Sequence, residues 1–132
     1  MKKTLRKRSK SPIAKVKAKA WKAFSLWIRK RDNWTCFTCG KRLKNSPTLH
    51  AGHFISRRHN ATLFDERNVH AQCMYCNMWD YGNMGVYVDN LIKLYGVGII
   101  EELRKKSRES KQFTVKELEE IEQEYRGKLK DL

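Results

Sequence analysis

The chain has 132 residues, with 29 lysines and arginines against 14 acidic side chains and a net charge of +15. That length suits a single domain whose modest core gains from a metal or a partner, and no stretch approaches the roughly 20 apolar residues a membrane span requires. The charge is concentrated, not spread: residues 1–31 carry 13 Lys/Arg and no acid, residues 32–100 seven basic and five acidic side chains, and residues 101–132 nine of each.

Residues 1–12 hold lysine, arginine and serine with little to bury, and are expected to form a disordered basic arm until a partner orders them. Such an arm reads as phosphate-seeking, because Lys and Arg release condensed counterions from a polyanion; a merely solvated tail is the plainer reading. From Ile13 the pattern turns helical. Ala20, Trp21, Phe24, Trp27 and Ile28 form an apolar stripe, while Lys15, Lys19, Lys22, Arg29, Lys30 and Arg31 offer cations for DNA. The aromatic members of the stripe are expected in the core and not as base-stacking platforms.

Thr35 to Lys44 reads as a cysteine knuckle in which Gly40 lets the chain turn back. A strand is expected over Leu49–Ile55, an irregular connecting loop over Arg57–Glu66, and a second strand over Arg67–Ala71. The second cysteine pair then opens a helix ending near Tyr81-Gly82. Further helices are expected over Val86–Tyr95 and Gly98–Lys106. The last begins at Thr114-x-x-Glu117, a capping box with Phe113 and Leu118 placed as a staple. Its seam of Leu118, Ile121, Tyr125, Leu129 and Leu132 can dock on the body or pair with a second copy, and a homodimer through these C-terminal helices is favoured. The domains are thus the arm 1–12, a core 13–106 and the C-terminal helix 113–132.

Cys36/Cys39 and Cys73/Cys76 form two Cys-x-x-Cys pairs, a spacing that suits a closed tetrahedral structural Zn2+ site. All four cysteines are used, and no signal-like apolar segment precedes them, so a reducing cytoplasmic setting is expected over a disulfide scaffold. With zinc saturated by sulfur, His53, Asn68 and Asn77 are left for other work. Phosphodiester hydrolysis needs a base for water, which a neutral imidazole supplies, and a cation to screen the phosphate oxygens. Mg2+ needs only a few protein oxygens for that task.

The segment Cys36-x2-Cys39, Ala51-Gly52-His53-Phe54, Phe64-Asp65-Glu66-Arg67-Asn68-Val69-His70-x-Gln72-Cys73-x2-Cys76-Asn77 and Gly82-Asn83 resembles the phage NinG (Rap) recombination proteins. These are members of the zinc-ribbon HNH, or His-Me finger, nuclease superfamily, and the resemblance runs from about Trp34 to Leu103. It implies an α+β, mostly helical fold with a ββα-metal core, flanked by the basic N-terminal helix and the C-terminal helices. It also implies a structure-specific endonuclease that acts on Holliday junctions and D-loops, in the host cytoplasm if the chain is phage-encoded.

Position by position, the resemblance makes His53 the general base, Asn68 the brace of the hairpin and Asn77 a ligand of a catalytic Mg2+ or Mn2+. Arg57 and Arg58, just after the base, are candidates to hold the scissile phosphate. Most such sites carry Asp or His immediately before the base, and this chain has Gly52 there. His50 is the nearest substitute ligand, since side chains two apart on a strand share a face, with His70 and Asp80 as further candidates. The plainer alternatives are a packed His53 and an Asn77 that only caps a helix. The competing function is a non-catalytic zinc-binding DNA-recognition module, with cleavage of RNA or single strands a weaker third.

Overall fold

The computed structural model describes residues 11–132, so most of the basic arm expected over 1–12 lies outside the described residues. The order is α1 Pro12–Arg31, β1 Leu49–His53, α2 Asn60–Leu63, β2 Val69–Cys73, a π-helical turn Tyr75–Trp79, then α3 Met84–Tyr95, α4 Ile99–Ser107 and α5 Val115–Lys130. The fold is mixed helix and strand, mostly helical.

Helix α1 starts where Ser11 accepts a hydrogen bond from the Ala14 N–H and Pro12 occupies the first turn, where its missing N–H costs nothing. Arg29, Lys30 and Arg31 close it, cations at the negative end of the helix dipole. Its buried face is Ala20, Ala23, Phe24 and Ile28, the expected stripe with both tryptophans moved to the half-buried margin.

β1 and β2 pair antiparallel, Leu49 opposite Cys73 and His53 opposite Val69. Odd-numbered residues of the hairpin face α1: Val69 and Ala51 pack with Phe24 and Ile28, and Leu49 and Ala71 pack with Trp34. The even-numbered face meets α3, where His70 and Phe54 lie against Tyr87. Covered on both sides, all five residues of β2 are buried. Its outer edge is satisfied without a third strand. The Phe37 N–H donates to the Ala71 carbonyl at 2.7 Å, Asp32 accepts from the Ala71 N–H at 2.8 Å, and Arg31 donates to the Val69 carbonyl at 2.8 Å.

Both strands differ in extent from the sequence expectation: β2 runs on to Cys73, and one residue explains the two ends that meet at the loop. The Asn68 side chain binds the N–H and C=O of Ile55, replacing ladder pairs there, so β1 stops at His53 and β2 starts at Val69. The connection expected to be irregular contains α2, whose single turn is too short to show a period. The helix expected after Cys73 is the π-helical turn, closed by the Asp80 N–H on the Tyr75 carbonyl at 2.8 Å.

Helices α3 and α4 form a second core of Tyr87, Leu91, Ile99 and Leu103. The capping box of α5 is formed as expected, with Thr114 and Glu117 exchanging hydrogen bonds. Its seam docks on the body: Tyr125 stacks edge-on to Phe24, and Ile121 joins the same cluster. A homodimer built on this helix would therefore have to use its other faces. The hairpin loop is pinned from both flanks, by Lys128 and the Tyr125 hydroxyl on Glu66 and by Lys106 on Asp65.

Candidate functional site

The four cysteines converge from the loop after α1, the end of β2 and the π-helical turn, and all four sulfurs lie within 4.8 Å of one another. Cys39 Sγ and Cys73 Sγ are 3.8 Å apart, close to the edge of a tetrahedron with zinc–sulfur bonds of about 2.3 Å. The Cys39 N–H donates to Cys36 Sγ and the Cys76 N–H to Cys73 Sγ, each at 3.4 Å. Burial raises the Cys36 thiol, but hydrogen bonds from Thr38 and from backbone groups outweigh it and hold the thiol below its usual range. Cys76 is pushed up by burial. Sulfur donors at this spacing with N–H groups behind them fit zinc, whose charge lets all four ionise together.

His53 ends β1. Its ring stacks on Trp21 of α1 at 5.0 Å between centroids, and its Nε2 lies 3.2 Å from the Leu63 carbonyl of α2. A carbonyl can only accept, so Nε2 carries the proton and Nδ1 keeps its lone pair. Burial lowers the imidazole to about 4, the Arg57 guanidinium adds to that, and the Leu63 carbonyl opposes it. The group is therefore neutral at pH 7, as a proton acceptor must be.

Asn68 is fully buried and uses its whole amide. Its Oδ1 accepts from the Ile55 N–H at 2.7 Å, and its Nδ2 donates to the carbonyls of Ile55 and Thr62 at 3.0 Å each. Thr62 adjoins Leu63, so one side chain ties the end of β1 to the turn whose carbonyl holds His53.

The remaining candidates meet in a neighbouring cleft of about 330 Å³ lined by Trp21, Arg29, His50, Arg57 and Asn77 among others. Asn77 Nδ2 is 3.2 Å from His50 Nδ1, so two side chains that the sequence singles out, from different elements, are brought together. Burial and then Arg29 hold His50 below its ordinary value. His70 is not in the cleft. It is buried between the Tyr87 and Tyr95 hydroxyls, each 3.1 Å from a ring nitrogen, with Phe37 stacked on it at 4.0 Å. Asp80 is exposed on the turn.

Gly52 has a steric cause. A Cβ there would lie 2.0 Å from Gln72 Oε1, because the fully buried Gln72 side chain fills the space a ligand would need. Gln72 is held in place by donating to the Gly82 carbonyl at 2.8 Å and to Thr38 Oγ1 at 3.2 Å, which leaves its Oε1 without a partner.

Of the cations proposed for DNA, Lys15, Lys19, Lys22 and Lys30 are exposed along α1, and Arg57 and Arg58 are exposed after β1. Arg29 is half-buried in the cleft wall over Trp34. Arg31 is committed inside the chain: it donates to Asp32 and to the Glu66 and Val69 carbonyls. That occupies the guanidinium in anchoring α1 to β2 and removes it from the DNA-facing set.

Sequence reasoning missed three contributors. Burial preference places Trp21 in the core, yet its indole packs with both the His53 ring and Arg57, whose guanidinium lies 5.3 Å from it. The Leu63 carbonyl lies in the stretch that showed no period. Gln72 had a signal available, a buried-strand position filled by a polar residue and diagonal to a glycine.

The family model described as Bacteriophage Lambda NinG protein matches residues 1–132. Protein ninG of Salmonella phage P22 is 34% identical over 130 residues, covering 97% of this chain and 63% of that protein. Protein ninG of Escherichia phage lambda is 33% identical over 130 residues, covering 97% of this chain and 62% of that protein. The chain thus spans less than two-thirds of the length of these relatives. No solved structure matches it significantly.

Proposed function

The chain belongs to the bacteriophage lambda NinG family, and from that premise we propose that it is a metal-dependent endonuclease of the ββα-metal kind, acting on branched DNA with His53 as the general base. The observation that carries this reading is the state of His53. Its Nε2–H is committed to the Leu63 carbonyl, which leaves the Nδ1 lone pair free to accept a proton, and burial keeps the imidazole neutral. In the proposed reaction Nδ1 takes the proton of the attacking water, Asn68 keeps β1 and α2 in register, and Arg57 binds the phosphate.

A divalent ion, when bound, would screen the non-bridging oxygens and stabilise the leaving oxygen. His50 and Asn77 are the side chains that would hold it. One imidazole and one amide, with no carboxylate lining the cleft among the described residues, fit a nitrogen-tolerant ion such as Mn2+ better than Mg2+. They fit either only with substrate phosphates completing the shell. The same observation favours the competing reading, a zinc-stabilised module that binds DNA without cutting it.

Zinc-loaded protein incubated with a four-way junction and a matched duplex separates the two. Incision is expected with added Mn2+ or Mg2+ and not without, and His53→Ala should keep junction binding while losing incision. Cleavage retained by His53→Ala would remove the base assignment, and absence of metal-dependent product on both substrates would leave the binding module.

A further inference from the structure

The π-helical turn points two residues inward and leaves the others outside. Cys76 faces the metal cluster and Asn77 the cleft, whereas Tyr75 is 66% exposed, Met78 59%, Trp79 71% and, just beyond, Tyr81 89%. Three aromatic rings within seven residues stand in water on an element clamped at its base by Cys73 and Cys76. A lone exposed ring is ordinary; a clustered set marks a surface that meets something.

The surroundings say what that is. On the Asn77 side the cleft wall holds Arg29 and Arg57. On the other side the first knuckle, joined to the turn through the cysteine cluster, exposes Lys41, Arg42 and Lys44. Asp80 is the single acid from Cys73 to Gly85. A partner that is polyanionic and also presents flat apolar faces is a nucleic acid strand with unstacked bases, since intact duplex hides those faces in its stack.

We infer that Tyr75, Trp79 and Tyr81 form a stacking surface for unpaired DNA bases, set beside the His50–Asn77 cleft, by which the chain distinguishes a branch point from continuous duplex. The inference rests on DNA being the substrate, as proposed above, but not on catalysis. The four-cysteine cluster fixes the turn against the hairpin, so the stacking surface and His53 belong to one rigid unit.

The test is equilibrium binding by the zinc-loaded full chain with no added Mg2+ or Mn2+, which makes its result independent of cleavage. The probes are a four-way junction, an oligothymidine single strand and a matched duplex. Trp79→Ala, and Tyr75→Ala with it, should weaken binding to junction and single strand by about tenfold or more, the scale of losing one or two base stacks. Binding to duplex should change less than about twofold, and the salt dependence should keep its slope because no cation is removed. Trp79→Phe should recover most of the affinity, and 2-aminopurine at the branch should lose its protein-induced change in emission with Trp79→Ala. Equal losses on duplex and junction, or unchanged junction affinity, would overturn the inference. So would a shift in molar mass by light scattering on substitution, which would assign the rings to self-association.

Discussion

Gly52 supplies the sharpest quantitative prediction, because a buried side chain occupies the space its Cβ would need. A methyl group added there meets Gln72 Oε1 at 2.0 Å, Cδ at 2.8 Å and Cγ at 3.1 Å. Relief requires the Gln72 amide to move by more than about 1 Å, since ordinary contacts begin near 3.4 Å, and such overpacking costs about 1–3 kcal/mol. The same movement breaks the bonds to the Gly82 carbonyl and Thr38, about 1 kcal/mol each. Gly52→Ala should therefore lose about 3–5 kcal/mol, a fall in Tm of roughly 15 °C for a chain of this size. Thermal and urea unfolding of zinc-loaded Gly52→Ala, Gln72→Ala and the double variant form a cycle. With Gln72 truncated first, the alanine should cost less than about 1 kcal/mol, so the coupling should exceed 1 kcal/mol. A Gly52→Ala variant as stable as the parent, or one equally destabilised with and without Gln72, would refute the steric account. Gly52→Asp should gain no metal-dependent activity, because the space for the ligand is filled.

Two further outcomes follow from the buried groups. Removing zinc by chelation or by Cys76→Ser should abolish cooperative unfolding near the parent Tm, because the knuckle supplies the Phe37 N–H that closes the edge of β2 and Cys73 is that strand's last residue; metal analysis should find about one zinc per chain, and an unchanged Tm after chelation would remove the structural role. The acid limb of stability should depend on histidine: burial lowers His70 to about 3 and His53 to about 4. Both are depressed, so the folded chain stays unprotonated where the unfolded chain binds protons below about pH 6.5, and their stabilisation is present above that pH and lost as pH falls towards the folded values. His70→Gln, measured between pH 5 and 6.5 at fixed zinc, should flatten that decline by up to about 1.4 kcal/mol per pH unit. Parallel curves would show that His70 titrates normally.

What was legible in the sequence was whatever depended on local pattern. The stripe of α1, the capping box at Thr114, the breaks at Gly40 and Gly96 and the pairing of four cysteines all follow from spacing and side-chain chemistry over a few residues, and each has its expected place. What was illegible depended on contacts between distant segments. The strand ends are set by the Asn68 amide acting across 13 residues, the orientation of Arg31 by carbonyls 35 and 38 residues away, and the docking of α5 by Phe24 and Glu66. A periodicity argument has no access to these, because nothing local distinguishes a helix seam that meets its own body from one that meets a second copy.

The same division explains the architecture of the candidate site. The four-cysteine cluster joins the loop after α1 to the end of β2 and the π-helical turn but does not by itself orient His53, whose ring is set by Trp21 on one side and the Leu63 carbonyl on another. Trp21 belongs to α1, and α1 is held to the hairpin by Arg31 and Asp32 on β2 and, through Phe24 and Trp27, by Tyr125 of α5. The helix that contributes the cationic surface is therefore also the wall of the histidine pocket. Lys17 lines the cleft shared by Trp21 and Arg57, whereas Lys19 and Lys22 flank α5, so Trp21 is the point at which α1 meets both His53 and Arg57. Leucine at that position would keep the apolar wall but remove the stacking surface shared by His53 and Arg57, loosening the two together.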